Sequence, residues 1–441
     1  MQTFDLVGIG VGPFNLSLAA LAEPTGMKSL FLEKNACFSW HPGLMLPNGS
    51  LQVSPLKDCV TLADPTSPYS FLNYLSVHRR LYSFINKHGA NTSRREFADY
   101  YSWVARQLAS VRFGEEVTDV APCDEGFYIS TPAQRYIARS IVLGIGVEPQ
   151  IPDCARHWLG SAVCHAAHFL DQPEIGYGER VMVVGGGQSG AEIVEHLLGL
   201  PDIGQITWIT SRGNLFAMDE SSFVNESYLP SYSQYFQSLP LGRRRAIVAD
   251  EKLTSDGISA ALSNRIYELM YERCHVEGRS DHIRVVSNVC MTNIMPSKQR
   301  WKVLVKSQAT DVEREMTVDR VILATGFRPR RSPFIEKIIR HARMEDGLPV
   351  MRDDYSVEFN QTMKGKVYLQ NRSRVQHGLQ SVNLSLVAYR NSRIVNSVLG
   401  RHFYPEIPDS QLLNQLDSFR ETPKAGNLRP VEVDCASMRL A

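Results

Sequence analysis

Two short glycine-rich segments, each directly after an apolar run, constrain the fold of this chain more than any other feature. The first begins at Gly8 and the second at Gly185. In both, an apolar strand pattern, a glycine-rich turn and a helical pattern follow one another, as in a dinucleotide-binding βαβ unit. The glycines of such a turn let the backbone approach a pyrophosphate, which rests on the N-terminus of the next helix. The sequence therefore predicts an α/β fold with two Rossmann-like dinucleotide-binding domains.

The residue that closes the next strand differs between the two units. Glu33 closes the strand after the first turn, where a carboxylate suits the free ribose hydroxyls of FAD. Ser211 and Arg212 close the strand after the second turn, where hydrogen-bond donors suit the 2′-phosphate of NADPH. These residues predict one FAD site followed by one NADPH site. A purely structural turn is the alternative for each motif, more so for the first, in which Pro13 stands in place of the last glycine.

The composition of the 441-residue chain excludes several classes of protein. A formal net charge of +1 gives no reason to expect nucleic acid or an anionic membrane as a partner. No apolar run approaches the roughly 20 residues of a membrane helix, and the N-terminus has no signal-peptide pattern, so we expect a cytoplasmic protein. The eight cysteines form no CxxC pair and no cluster with histidine at metal-ligand spacing. We therefore expect buried free thiols and no metal site.

The order of strand and helix patterns predicts a discontinuous domain organisation. The apolar run before Ala324 is interpreted as a return of the chain to the first nucleotide domain. The smaller region between the two parts of the second domain is expected to be mainly helical and to bind the substrate. The expected segments are a FAD-binding domain at 1–165 and 317–400, an NADPH-binding domain at 166–216 and 276–316, the helical region at 217–275 and a peripheral tail at 401–441.

Several polar residues outside the two turns have more than one interpretation. Trp40 and His41 lie in a long loop-rich stretch at 38–70, a kind of loop that is usually functional, and they either cover the flavin or pack within the loop. Lys57 is an isolated cation among apolar and small residues, which suggests an anionic partner, although an exposed lysine is the more common case. Asp256 is more readily a helix cap than a catalytic group.

These motifs together resemble the N-hydroxylating flavoprotein monooxygenases of siderophore biosynthesis. This family contains the lysine N6-, ornithine N5-, diamine and histamine N-monooxygenases. The resemblance covers about residues 4 to 400, and Pro13 is the residue that the family has in its first turn. It rests on Gly10-x-Gly12-Pro13-x-Asn15, the segment 38–43, Leu56-Lys57-Asp58, the segment 185–192, Ala324-Thr325-Gly326-Phe327 and Leu384-Ser385-Leu386.

The resemblance implies a set of cofactor-binding residues. For FAD they are Gly8, Gly10, Gly12, Pro13, Asn15, Glu33, Trp40, His41 and Gln52. For NADPH they are Gly187, Gln188, Ser189, Gly190 and Arg212. Thr325, Gly326 and Leu386 are also expected at the cofactors. His165-Ala166-Ala167 replaces the usual His-Ser-Ser of the family, which is expected to loosen a hydrogen bond near the nicotinamide.

The resemblance also implies where the substrate binds. Lys57 and Asn225 match positions that hold the backbone end of the substrate in the ornithine enzymes, and Ser385 matches a position beside the reacting amine. Ser255 and Asp256 are the other expected substrate residues, and either Asp256 or Glu220 offers a partner for a second ammonium group. The ornithine enzymes have Asn-Tyr-Ser where this chain has Ser255-Asp256-Gly257, a feature shared with the lysine enzyme, which disfavours ornithine.

No hydrolase or phosphate-loop motif is present, so the cofactors must carry the chemistry, and the family resemblance implies what that chemistry is. NADPH reduces FAD, oxygen adds to form a C4a-hydroperoxyflavin, and a neutral primary amine attacks its distal oxygen. The flavin drives the reaction, so no catalytic acid or base is assigned. We expect L-lysine or a small diamine, cadaverine or putrescine, as the substrate that becomes a hydroxylamine for a siderophore. Histamine is the next expected substrate, and L-ornithine is the last. The family resemblance implies a homo-oligomer, a dimer or a tetramer.

Three other classes of protein share parts of this pattern. A disulfide reductase requires a redox cysteine pair, which the sequence lacks. A general flavin-containing monooxygenase usually has a characteristic Phe-x-Gly-x-x-x-His stretch before the second turn, and this chain has none there. A non-catalytic regulator would bind NADPH without reducing a flavin.

Overall fold

The structure is a computed structural model that describes residues 1–87, 92–405 and 412–413. Its strands are, in chain order, β1 (Gln2–Ile9), β2 (Ser29–Glu33), β3 (Val111–Phe113), β4 (Asp119–Cys123), β5 (Gly126–Ser130), β6 (Arg135–Leu143), β7 (Val147–Pro149), β8 (Val163–His165), β9 (Arg180–Val184), β10 (Gln205–Ile209), β11 (Ile283–Val286), β12 (Val289–Ser297), β13 (Arg300–Ser307), β14 (Glu313–Val318), β15 (Arg320–Leu323), β16 (Phe327–Pro329), β17 (Met344–Glu345), β18 (Leu348–Pro349) and β19 (Val367–Leu369). Its α-helices are α1 (Pro13–Ala22), α2 (Phe71–Val77), α3 (Leu81–Asn86), α4 (Arg94–Gln107), α5 (Gln188–Leu198), α6 (Ser222–Asn225), α7 (Pro230–Ser238), α8 (Leu241–Asp250), α9 (Leu253–Asp256), α10 (Ala260–Tyr271), α11 (Pro333–Ile339), α12 (Arg374–His377) and α13 (Val387–Leu399).

The first nucleotide-binding unit is built on a seven-stranded sheet. The strand order is β3-β2-β1-β6-β5-β4, and β19 pairs with the second half of β6. The central strand β1 runs parallel to β2 and β6, which places Gly8 opposite Phe31 and Val142. Leu6 and Val7 are fully buried, as expected for a central parallel strand with both faces covered. The first strand, turn and helix are therefore those that the sequence predicts.

The second unit is built on a five-stranded parallel sheet in the order β11-β10-β9-β15-β8. Helix α5 follows its glycine-rich turn and packs Ile193 and Leu197 into one core with Ile206 and Trp208 of β10. Strands β12, β13 and β14 form a separate antiparallel sheet. The prediction of two Rossmann-like units in one α/β chain is confirmed.

The expected boundaries between the units are wrong at two strands. β15 and β8 fall in the segments expected to belong to the first unit, 317–400 and 1–165, yet both pair within the second sheet. β15 runs beside β9, where the carboxylate of Asp319 accepts a hydrogen bond from the backbone N–H of Arg180 over 2.9 Å. Its apolar residues are buried between two neighbouring strands. The chain crosses between the units at the antiparallel pair β7 and β16 instead.

The region at 217–275 is helical in short pieces, as predicted. It contains α6 to α10, and α10 continues into a π-helical turn at Glu272–Val276. Leu262 and Ile266 of α10 join the core formed by α5. The helical region is therefore attached to the second unit.

Other expectations concern the loop, the tail and the cysteines. The stretch at 38–70 contains a single short 3₁₀ turn, Pro42–Leu44, and neither α-helix nor strand. Most of the expected tail, 401–441, lies outside the described residues.

The expectation of buried thiols holds only in part, since Cys59 and Cys164 are buried while Cys37 is exposed. Over the ranges that the structure describes, no helix is long and apolar enough to cross a membrane.

Candidate active site

The first glycine-rich turn leaves open space at the N-terminus of α1. Gly12 is the N-cap residue, and no side chain caps the helix. Among the described residues, no protein atom would lie within 4 Å of a Cβ atom at Gly12. Gly10 has a φ of +84°, and a Cβ there would lie 2.5 Å from the carbonyl oxygen of Gly144, so this position requires glycine. Pro13 takes the first position of α1, where its missing N–H costs nothing.

Asn15 and Glu33 hold this turn in place. The Asn15 side chain, which is fully buried, donates from Nδ2 to the carbonyl oxygen of Gly10 over 2.8 Å, and its Oδ1 has no hydrogen-bond partner among the described residues. Oε2 of Glu33 accepts a hydrogen bond from the N–H of Val11 over 2.8 Å. The turn is thus fixed by residues that the sequence assigned to FAD, and the open face at Gly12 fits a pyrophosphate.

The second turn has the same open geometry. Gly187 is the N-cap of α5 without a capping side-chain hydrogen bond, and no atom in the described part of the chain would lie within 4 Å of a Cβ there. Gly190 packs against the strand, because a Cβ would lie 2.3 Å from the carbonyl oxygen of Gly185. Gln188 donates to Glu192 over 3.0 Å and accepts from the N–H of Ser259 over 2.9 Å, so it ties the turn to the start of α10. This geometry fits a second nucleotide phosphate, while Ser189 is half-buried beside it.

The loop after β2 lies between the two units. The Trp40 ring packs edge-on to Tyr101 of α4 with centroids 5.5 Å apart. His41, which has a left-handed φ of 49°, lies 5.7 Å from the ring of Phe327. Gln52 lines a cavity of about 950 Å³ between this loop and helices α5 and α10, and its buried Nε2 has no partner among the described residues. The loop therefore presents polar groups toward the junction of the two units.

His165, Thr325 and Gly326 meet where the chain crosses between the units. Nδ1 of His165 accepts from the N–H of Ala167 over 3.1 Å, and its Nε2 lies 3.0 Å from the carbonyl oxygen of Gly326. Burial lowers the pKa of His165 to about 4, so the ring is neutral at pH 7 and donates from Nε2. The hydroxyl of Thr325 donates to the carbonyl oxygen of Gln150 over 2.6 Å. The expected loosening of a hydrogen bond near the nicotinamide stays a prediction.

Lys57 and Ser385, which are far apart in the sequence, meet in the structure. Nζ of Lys57 donates to Oγ of Ser385 over 3.2 Å. The neighbouring Asp58 anchors the loop, because its carboxylate accepts from the backbone N–H groups of Val60 and Phe71. Burial lowers the pKa of Lys57 from its usual 10.5. The structure thus brings together two of the expected substrate residues.

Ser385 lies in a buried turn before α13, directly before the expected cofactor residue Leu386. Its N–H and hydroxyl both donate to Oδ1 of Asn383, over 2.8 and 2.9 Å. On α13, Asn391 donates to the carbonyl oxygen of Phe14 over 2.8 Å, which fixes this helix against α1. The turn around Ser385 is therefore held close to the helix that follows the first glycine-rich turn.

Tyr228 joins this group although no sequence motif marks it. The Lys57 ammonium lies 5.4 Å from the centroid of its ring, within the range of a cation–π contact. The Tyr228 hydroxyl donates to the carbonyl oxygen of Thr254 over 2.8 Å. Asn383 was also missed, although an asparagine two residues before a serine is a recognisable turn pattern.

Ser255 and Asp256 lie beside two arginines. Nη2 of Arg374 donates to Oγ of Ser255 over 3.1 Å, and Nη1 lies 3.9 Å from Oδ2 of Asp256. Arg212 donates from Nη1 to the carbonyl oxygen of Asp256 over 2.9 Å. The interpretation of Asp256 as the cap of the following helix is wrong. Asp256 is the last residue of α9, and the N-cap of α10 is Ser259.

Asn225 is the expected substrate residue that the structure does not bring into this group. It is exposed on α6, and its Nδ2 donates to the carbonyl oxygen of Glu220 over 3.1 Å. Tyr228, three residues later, is the buried member of the same segment. The role of Asn225 stays a prediction.

Two open glycine turns, each between a parallel strand and the helix that follows it, are typical of a protein that binds two nucleotides. A family model described as L-lysine 6-monooxygenase/L-ornithine 5-monooxygenase matches residues 2–329. The chain belongs to this family. It is a flavin-dependent N-monooxygenase whose cofactors are FAD and NADPH.

Individual relatives act on different amines. The chain is 34% identical to the L-lysine N6-monooxygenase of Escherichia coli over 409 residues, which cover 91% of this chain and 96% of the relative. The FAD-bound cadaverine monooxygenase of Erwinia amylovora is similar with a TM-score of 0.87 and 29% identity, covering 95% of this chain and 99% of that structure. An ornithine N-hydroxylase of Kutzneria sp. 744, with reduced FAD, NADP⁺ and L-ornithine, gives a TM-score of 0.85 and 30% identity over 90% of this chain and 99% of that structure. These relatives agree on N-hydroxylation and differ in substrate.

Proposed function

We propose that this enzyme N-hydroxylates the terminal primary amine of L-lysine or of a small diamine, cadaverine or putrescine, and supplies the hydroxylamine for siderophore biosynthesis. The contact between Lys57 and Ser385 is the observation that carries the proposal. In this contact a cation and a buried hydroxyl lie together, next to Tyr228 of the helical region. A cytoplasmic location and a homo-oligomeric state stay predictions from the sequence.

Ser385 has one hydrogen-bonding position left for an amine. A hydroxyl has one proton to donate and two lone pairs to accept with. The proton is directed to Asn383, and one lone pair accepts from Lys57. The remaining lone pair is available to accept from an N–H of the substrate, which would orient the nitrogen lone pair toward the flavin.

The surroundings of Ser385 favour the neutral form of the amine. When bound, FAD reduced by NADPH supplies the activated oxygen atom. Only an uncharged amine has a lone pair that can attack this oxygen, and a free alkylamine is protonated at pH 7. Desolvation and a nearby positive charge both lower the pKa of an amine. Ser385 is buried, so desolvation acts on an amine that binds there.

The FAD-loaded protein allows a direct test. NADPH oxidation, hydroxylamine and hydrogen peroxide are measured with L-lysine, cadaverine, putrescine, histamine and L-ornithine. We expect hydroxylamine from L-lysine or a diamine, less from histamine and least from L-ornithine. Turnover that yields only peroxide with every amine would refute the proposal.

A pair of serine variants tests the role of Ser385. In Ser385→Ala the hydroxyl that would orient the amine is lost, and we expect more peroxide and less hydroxylamine per NADPH. Ser392→Ala is the matched control, because Ser392 lies on α13, the helix that follows the turn of Ser385, and its hydroxyl donates to the carbonyl oxygen of Tyr389. If both variants formed the same amount of hydroxylamine per NADPH oxidised, Ser385 would have no role in the proposed mechanism.

A further inference from the structure

We propose that Arg374 is a specificity-determining residue of this site, which binds the carboxylate of an α-amino acid together with Lys57 and so selects L-lysine over a diamine. This inference rests on the proposed amine N-hydroxylation. It concerns a residue of α12 that no sequence motif marks. Its basis is the geometry of Arg374 among the expected substrate residues.

Arg374 has hydrogen-bond donors that its neighbours do not use. A guanidinium carries five N–H donors. Nη2 donates to the hydroxyl of Ser255 over 3.1 Å, and Nη1 is 3.9 Å from Asp256, beyond hydrogen-bonding distance. Nε is buried and has no acceptor among the described residues. A planar cation with free donors beside a substrate segment is suited to a carboxylate, which it can hold by two parallel bonds.

Tyr228 connects Arg374 to Lys57. The Lys57 ammonium lies over the ring of Tyr228, and the hydroxyl of that tyrosine donates to Thr254, the residue before Ser255. Burial raises the pKa of Tyr228, and the positive charge of Arg374 opposes that rise, which places the guanidinium within electrostatic reach of the phenol. Both cations therefore act on the same small region.

Two cations in this region disfavour a diamine. The second ammonium of cadaverine or putrescine would be repelled by both, whereas the carboxylate of L-lysine would be attracted by both. Asp256 does not reverse this preference, because this one acidic residue lies beside two guanidinium groups, those of Arg374 and Arg212.

Variants of Arg374 test the selection in the FAD-loaded full-length protein. In Arg374→Gln we expect the KM for L-lysine to rise about 10- to 100-fold, since one charge-assisted hydrogen-bonded contact is lost, while the KM for cadaverine stays or falls. Arg374→Lys should recover part of the loss, because it keeps the charge but lacks the planar fork. Arg343→Gln is the matched control, since Arg343 pairs with Glu358 at the surface.

A binding measurement separates this inference from the proposed function. L-norleucine has the α-carboxylate and α-ammonium of lysine but no reacting amine. Calorimetry should show it binding to the wild-type protein and to Arg343→Gln, and about 10-fold or more weaker to Arg374→Gln. Unchanged norleucine binding in Arg374→Gln, or a parallel rise of both KM values, would overturn the role of Arg374. Absence of hydroxylamine from every amine would instead overturn the proposed function.

Discussion

Arg94 and Glu192 form a two-bond ion pair between the two nucleotide-binding units. Nη1 and Nη2 of Arg94, at the start of α4, donate to the two carboxylate oxygens of Glu192 on α5 over 2.9 and 2.7 Å. Nη1 also donates to the carbonyl oxygen of Leu44 in the long loop. The pair thereby joins the helix of the second glycine-rich turn to the loop beside the first, and it fixes the junction at which both cofactors must meet.

Breaking this pair should destabilise the enzyme. Glu192 is 3% exposed, so Glu192→Gln leaves Arg94 with a charge that has lost its buried partner. We expect a loss of about 3 kcal/mol, seen as a lower Tm of the FAD-loaded protein. Glu315→Gln is the control, because it breaks an exposed pair with Lys302 that contributes at most about 1 kcal/mol. An equal change in Tm for both variants would show that the pair does not hold the units together.

Alanine substitutions at the two open glycines should each impair the binding of a different cofactor. A methyl group at Gly12 or Gly187 would meet no atom of the described residues within 4 Å, so the fold itself should tolerate it. We expect Gly12→Ala to lose FAD and Gly187→Ala to keep FAD but show a raised KM for NADPH. FAD absorbance and steady-state kinetics report these changes. Gly160→Ala, at an equally open position outside both turns, is the control. Normal FAD content in Gly12→Ala would contradict the assignment of the first turn.

Arg212 should select NADPH over NADH. In Arg212→Gln the expected contact to the 2′-phosphate is lost, so the KM for NADPH should rise about 10- to 100-fold with little change for NADH. Arg212 also holds the carbonyl of Asp256, which is a structural role independent of the phosphate. A similar rise in KM for both coenzymes would assign Arg212 to that role alone. Arg284→Gln, at an exposed position of the same sheet, serves as control.

Acid should destabilise the enzyme through His165. Its pKa is about 4 in the folded protein and 6.5 in the unfolded chain, so the unfolded chain binds more protons between these values. Stability should therefore fall as the pH drops from 6.5 to about 4, where protonated Nδ1 can no longer accept from Ala167. In His165→Gln the free energy of unfolding should fall less steeply as the pH drops, because unfolding then takes up as much as one proton fewer. Tm measured across this pH range should therefore decline less than in the unmodified enzyme. The exposed His157→Gln is the control, and a decline as steep in His165→Gln as in this control would contradict the prediction.

Local patterns explain why much of this protein was predictable. A strand, a glycine turn, a helix and the residue closing the next strand lie within a short segment, so the sequence predicts both nucleotide units. Whether an apolar run joins one sheet or the other is not a local property, which is why β15 was assigned to the wrong unit. Residues such as Tyr228 and Arg374 reach the site through long-range packing, and their surroundings in the sequence carry no motif.

The coupling ratio of the FAD-loaded enzyme tests the central claim most directly. It is the hydroxylamine formed per NADPH oxidised, measured with L-lysine and with cadaverine at saturating oxygen. Selective N-hydroxylation of an amino acid predicts a ratio near one with L-lysine and a much lower KM for L-lysine than for cadaverine. Peroxide in place of hydroxylamine with both amines would contradict N-hydroxylation, and coupled turnover with a lower KM for cadaverine would contradict carboxylate selection.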